Sequence, residues 1–245
     1  MEPKIVSQED WLAARKALLA EERSLIHQRD RVAAERRALP WVKVETDYVF
    51  DAPEGPKSLA DLFEGRGQLF VHYFMLPPGS DHICPACAAM SDHVDAARRH
   101  FQQADLSYAA VSRAPLARIQ AVKARLGWSF QWVSSAGTSF NYDYGAAFTP
   151  EQIAAGEADY NYGTTSEVWE DMPAASVFAR NAAGEVFHTY SAYARGTEAL
   201  FTPFNFLDFA PKGRNEDGGV MTWVRLHDEY DAPPAEDSAC CEGAR

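Results

Sequence analysis

The chain has 245 residues, 47% of them hydrophobic, enough to bury a sizeable core in one domain or in one domain with appendages. Its 23 Lys and Arg against 35 Asp and Glu leave a formal charge of -12, which repels nucleic acid and anionic membranes and excludes both as expected partners. An apolar run of roughly eighteen residues, the length of a membrane span, is absent. Residues 1–10 are polar and lead into a charged helix, so no leader peptide is expected and the cytoplasm is the expected location.

The first forty residues read as one long helix. Ser7, with Asp10 three positions on, suits an N-cap, and Pro40 follows the last periodic residue. Trp11, Leu18, Leu25, Val32 and Leu39 recur every seven residues, with Leu12, Leu19, Ile26 and Ala33 beside them. Between them stand Glu21, Glu22, Gln28 and Arg29. Such an apolar stripe is too narrow for a helix wedged into a globular core. It predicts an arm laid across its own domain or across a second subunit, a swapped homodimer being favoured over an ordinary surface helix.

From Trp41 the pattern changes to alternating strands and helices. Residues 41–50 read as a strand, 58–64 as a short capped helix, and 68–75 (QLFVHYFM) as a central strand, apolar almost throughout. A loop containing Pro77, Pro78, Gly79 and Ser80 follows, then Cys84 and Cys87, then a helical stretch to about Gln103. Residues 106–112 suit a strand and 115–126 a helix. Residues 176–178 and 185–190 flank Asn181-Ala182-Ala183-Gly184, a hairpin turn. A closing helix is expected near 196–201.

This order predicts a mixed α/β sandwich over residues 41–227. Between Trp128 and Pro173 lies an insertion rich in aromatics (Tyr142, Tyr144, Tyr160, Tyr162, Trp169), expected to cover rather than to link. Residues 228–245 are acidic and rich in Pro and Ala, and are expected to be disordered.

Four cysteines in a chain this long do not make a disulfide scaffold, and in a reducing compartment paired cysteines are more often catalytic or metal-binding. Cys84 and Cys87 sit between a buried strand and a helix. A thiol reacts as its thiolate, and the unpaired N–H groups of a helix start favour the anion. Pro85 suits the first helical position, where its missing N–H costs nothing. Cys87, one turn on, can attack a mixed disulfide formed at Cys84. His82 could add positive charge, and Asp81 would oppose it.

Other uses of these residues fit less well. Zinc needs four ligands, and beyond the pair only His93 offers a third, since Cys240 and Cys241 are adjacent in the tail. A c-type haem needs His where Ala88 stands. No metal and no bound cofactor are therefore expected.

The segments FVHYFMLPPGSDHICPAC, AAVSRAPLARIQAVKARLGWSFQWVSS, FNYDYG and GEVFHTYSAYARG resemble a bacterial family labelled predicted dithiol–disulfide oxidoreductases, within the thioredoxin-like superfamily that also holds peroxiredoxins. The resemblance spans roughly residues 41–230. It implies an α/β thioredoxin-like sandwich with an exposed nucleophile at Cys84 and a buried resolver at Cys87. The chain departs from thioredoxin in having His82-Ile83 before the pair, and Pro173, about three residues early, as the nearest counterpart of the proline that faces it. It departs from peroxiredoxins too: Pro77 fits their proline, but Asp81 stands where they carry Thr or Ser, and an ionised carboxylate there would repel a thiolate. Copper-delivering relatives space their cysteines differently, and His188, their candidate third ligand here, reads as a strand-edge residue.

Arg113 and Arg195 are candidates to line the site and receive an anionic substrate. The clustered tyrosines are expected to pack rather than react, and Cys240 and Cys241 to be passive. The expected activity is thiol–disulfide exchange with a disulfide-containing protein or small molecule, recycled by a cellular thiol reductant. The alternatives are a thioredoxin-fold scaffold without redox turnover and a thiol peroxidase.

Overall fold

The computed structural model describes residues 3–165 and 167–231, and the chain divides into two units between Pro40 and Trp41. The first unit is helix α1 (Gln8–Arg37), whose start is set by Ser7: its hydroxyl accepts the Asp10 N–H at 3.1 Å and donates to the Asp10 carboxylate at 2.7 Å. Glu9 and Asp10 in the first turn and Arg36 and Arg37 in the last complement the helix dipole. Arg15–Glu22 (2.8 Å) and Arg31–Glu35 (2.9 Å) pair along it, and none of its side chains is buried.

The second unit runs through β1 (Val42–Lys43), β2 (Val49–Phe50), β3 (Lys57–Ser58), β4 (Gln68–Tyr73), α2 (Pro85–Ser91), α3 (Val94–Gln103), β5 (Leu106–Ser112), α4 (Leu116–Arg125), β6 (Gln131–Ser134), α5 (Phe140–Asp143), α6 (Pro150–Ala155), β7 (Ala174–Arg180), β8 (Val186–Tyr193) and α7 (Thr202–Leu207). Six strands form one sheet in the order β1-β8-β7-β4-β5-β6, and β2 and β3 pair separately. β4 runs parallel to β5, and β5 to β6, each step crossing through helices; β7 lies antiparallel on the other side of β4, with β8 beyond it. A parallel β-α-β pair flanked by an antiparallel hairpin is the thioredoxin-like arrangement, here preceded by the long helix.

β4 is apolar on both faces because both are covered. Leu69, Val71 and Tyr73 face a core holding Phe50, Phe63, Phe140 and Phe178. Phe70 and Phe74 face the opposite core, with Tyr108, Trp128, Trp132 and the two cysteines. Phe140 meets Tyr48 and Phe50 edge-on at 4.9 Å, an arrangement that aromatic quadrupoles favour. The β7–β8 turn is held by the Asn181 carboxamide oxygen, which accepts the Ala183 and Glu185 N–H groups at 3.0 Å, and Gly184 takes the positive φ (+85°) the turn requires.

Three sequence expectations change. Residues 41–50 are not one strand: Glu45 and Asp47 are poor strand formers, the chain bends at Thr46, and β1 and β2 join different sheets. The segment between Trp128 and Pro173 is not all cover, since β6 enters the main sheet as its edge strand. The chain also stays anchored past residue 228, where Arg125 holds Asp228 at 2.7 Å and Glu229 at 2.6 Å. Cys240 and Cys241 lie outside the described residues.

Candidate functional site

Cys84 is the N-cap of α2 and Pro85 opens the helix. The Cys87 N–H donates to Cys84 Sγ at 3.4 Å, the cap bond that a thiolate strengthens. The Ser91 hydroxyl donates to the Cys87 carbonyl at 2.8 Å, across the last turn of α2. Neither cysteine is in a disulfide and both are buried, Cys84 at 2% and Cys87 at 1% exposure. The exposed nucleophile implied for Cys84 is therefore absent: Leu76, Ala88, Trp128 and Leu226 join both cysteines in one apolar cluster.

Beneath the pair lies His72, on β4. Its Nδ1 is 3.0 Å from the Tyr108 hydroxyl on β5, and its ring lies near enough to Cys87 to act on that thiol. Burial pushes the Tyr108 phenol above its ordinary range, so it stays protonated beside Nδ1. The Cys84 hydrogen bond first, then the hydrogen bond and charge of His72 and a Met75 backbone contact, hold the Cys87 thiol well below the ordinary thiol range against burial. The two thiols interact directly, so the lowering belongs to the pair.

Both cysteines line a cavity of about 310 Å³. Its walls are Met75, Met90, Met172, Met221, Trp169, Phe201 and Phe204, with Arg195, Glu198 and Arg214 on one side. Pro173, one residue before β7, also lines it. Among the described residues no group of three His, Cys, Asp or Glu side chains could hold a metal ion, and no helix is long and apolar enough to cross a membrane.

The sequence profile of one family, described as bacterial proteins of unknown function (DUF899), matches residues 1–230. The chain belongs to the DUF899 family. No curated protein matches it. Among solved structures, this DUF899 chain is similar to the peroxidoxin BcpB of Mycobacterium tuberculosis (12% identity, 67% of this chain and 93% of that one, TM-score 0.38). It is similar also to peroxiredoxin Q of Xanthomonas campestris (15% identity, 63% and 87% of the chains, TM-score 0.43) and to a PrxQ mutant of Xylella fastidiosa (13% identity, 68% and 95%, TM-score 0.41). Likeness of this degree says nothing about the reaction, which must be argued from the DUF899 chain's own residues.

Several residues singled out in the sequence lie elsewhere. Arg113 is buried: it donates to Asp171 at 2.5 Å and to the Tyr142 hydroxyl at 2.6 Å, and it does not line the cavity. An arginine so engaged is a structural cation, not a receptor for substrate. The Asp81 side chain is fully exposed, with Arg118 at 3.6 Å, too far from burial to oppose a thiolate strongly. His82 lines a second cavity of about 600 Å³ with Pro77, Ser80, Trp169 and Asp171. Arg195 does line the thiol cavity, paired with Glu198 at 2.8 Å. Of the insertion tyrosines, Tyr144 packs against the first core, and Tyr160 is buried, donating to the Pro173 carbonyl at 2.6 Å. His72 and Tyr108 were missed, although a lone histidine inside QLFVHYFM, on the strand leading to the cysteines, was the available signal.

Proposed function

We propose that this protein is a dithiol–disulfide oxidoreductase working through Cys84 and Cys87. The observation carrying this reading is the capped, hydrogen-bonded thiol pair over His72, both sulfurs opening on one cavity. A thiolate at Cys84 attacks a disulfide sulfur, expels one thiolate and forms a mixed disulfide. Cys87, whose proton is readily lost, then attacks Cys84 Sγ, expels the second thiol and leaves the pair oxidised. A cellular thiol reductant restores the pair, and the chemistry calls for no bound cofactor. The cytoplasm, the location expected from the sequence, is a compartment where thiols recycle such a pair.

The test is a redox titration of the pair against glutathione, read by alkylation and mass, in the full chain carrying Cys240→Ser and Cys241→Ser. A reversible two-electron transition is expected. Cys84→Ser should abolish disulfide reductase turnover, and Cys87→Ser should accumulate the mixed disulfide. Full activity in Cys84→Ser would end this assignment, and no disulfide at any poise would favour the scaffold reading.

The stripe on α1 supports a homodimer. Set antiparallel about Leu25, it places Leu18 against Val32, Trp11 against Leu39, Glu21 against Arg29 and Arg15 against Glu35 of the second copy. A parallel pairing would instead put Glu21 against Glu21 and Arg29 against Arg29.

A further inference from the structure

We infer that the substrate is a small, uncharged, largely apolar disulfide rather than a protein disulfide or an anionic one. The inference rests on the redox reading above and deepens it. At 2% and 1% exposure, neither sulfur can be reached from the surface by a disulfide embedded in a folded chain. Access runs through the cavity, whose 310 Å³ equals roughly ten water molecules of liquid volume. That lies at the lower end of small-molecule sites, too small for a folded segment.

The chemistry of the walls decides the class. Methionines and aromatics next to the thiols offer polarizable, adaptable apolar contact. The charged lining residues already have partners. Arg214 holds both oxygens of Asp208, at 2.6 and 2.7 Å, contacts Glu198, and lies 4.1 Å over the Phe204 ring. Arg195 is taken by Glu198, and Glu216 accepts the Met221 N–H at 3.0 Å. The exposed Arg195–Glu198 and Arg214–Asp208 pairs lie toward solvent, whereas a charged group brought against the thiols meets apolar walls and enters unpaired, at a desolvation cost. A neutral disulfide needs only the thiols.

The reaction balances within the cavity. Cys84 thiolate attacks one sulfur of R–S–S–R; the S–S bond breaks, the Cys84–S–R bond forms, and RS⁻ leaves with the proton the pair has given up. Cys87 thiolate then attacks Cys84 Sγ, and the second RS⁻ leaves with the second proton. The pair loses two electrons and the substrate becomes two thiols. A small cellular thiol supplies the electrons for the next cycle.

The experiment uses the reduced full chain with Cys240→Ser and Cys241→Ser, in about 0.5 M salt so that the net negative charge is screened. Second-order rates are measured with dithiodipyridine (neutral), dithiobis(nitrobenzoate) (dianionic) and insulin, each divided by its rate with the urea-unfolded chain. The neutral probe should be favoured over the dianion about a hundredfold, with insulin slower than both. Val220→Trp, at the outer edge of the cavity, should slow the neutral probe about tenfold. Equal normalised rates for the neutral and dianionic probes, insulin reacting as fast as the neutral one, or no effect of Val220→Trp, overturns the substrate assignment while the redox reading stands. Failure of the pair to oxidise with any probe or with glutathione removes the redox reading itself.

Discussion

The Tyr108 hydroxyl on β5 lies 3.0 Å from Nδ1 of His72 on β4, and this contact holds the imidazole beside the Cys87 thiol. The phenol holds the imidazole in place, and the imidazole adds to the lowering of the Cys87 thiol that Cys84 begins. His72 is thus a positioning residue, acting through the pair.

His72→Asn removes that support. The pH midpoint for alkylating the pair, expected below the ordinary thiol value of about 8.5, should rise by on the order of one unit, a tenfold loss of reactivity near neutrality. Tyr108→Phe should move it the same way by less, since the ring remains but loses its hydrogen-bond partner. The readout is iodoacetamide labelling against pH without Cys240 and Cys241. An unmoved midpoint in His72→Asn would show that the histidine only packs.

The architecture was legible because patterning carries it: β5 matches the expected residues 106–112, and the hairpin follows from its Asn-Ala-Ala-Gly turn. Cys84 and Pro85 announced their cap in the same way. What could not be read was everything that depends on pairing across the sheet. His72 meets Tyr108 only because β4 and β5 lie side by side, and their sequence separation hides it. Arg113 looked like a substrate receptor because its partners Tyr142 and Asp171 stand far along the chain. The burial of Cys84 was equally hidden, since Met221 and Phe204, which help wall its cavity, come from the C-terminal segment.

The pair should also leave a signature in stability. The folded state lowers the pKa of the pair, so the thiolate contributes stability that is fully present above the unfolded value of about 8.5 and is lost as pH falls through the lower folded midpoint. Urea unfolding of the reduced protein should therefore show stability falling with acidification across that window relative to Cys87→Ala. A constant difference between the two proteins would contradict thiolate stabilisation.

Arg113→Met should cost about 3–5 kcal/mol, the range for breaking one side of a buried ion pair. It strands Asp171, which is 5% exposed and whose pKa burial already pushes up against the pull of Arg113. Without the arginine the folded carboxyl rises further above its unfolded value, so the penalty grows as pH climbs past about 4. Urea unfolding at two pH values measures both effects. A substrate-receptor role would instead raise KM with stability unchanged.

The stripe on α1 makes a prediction about charge as well as apolar contact. In the antiparallel register Glu21 of one copy faces Arg29 of the other, twice per dimer. Glu21→Arg should therefore weaken self-association several-fold at low salt, and adding Arg29→Glu should restore it, since the doubly exchanged helix pairs with itself as the original does. Leu25→Lys, at the centre of the register, should weaken it most, because two lysines would then meet on the symmetry axis. Sedimentation velocity across a concentration series separates these variants. A monomer at all concentrations would remove the dimer, and a dimer indifferent to Glu21→Arg would remove this register and leave the apolar stripe to pair in another.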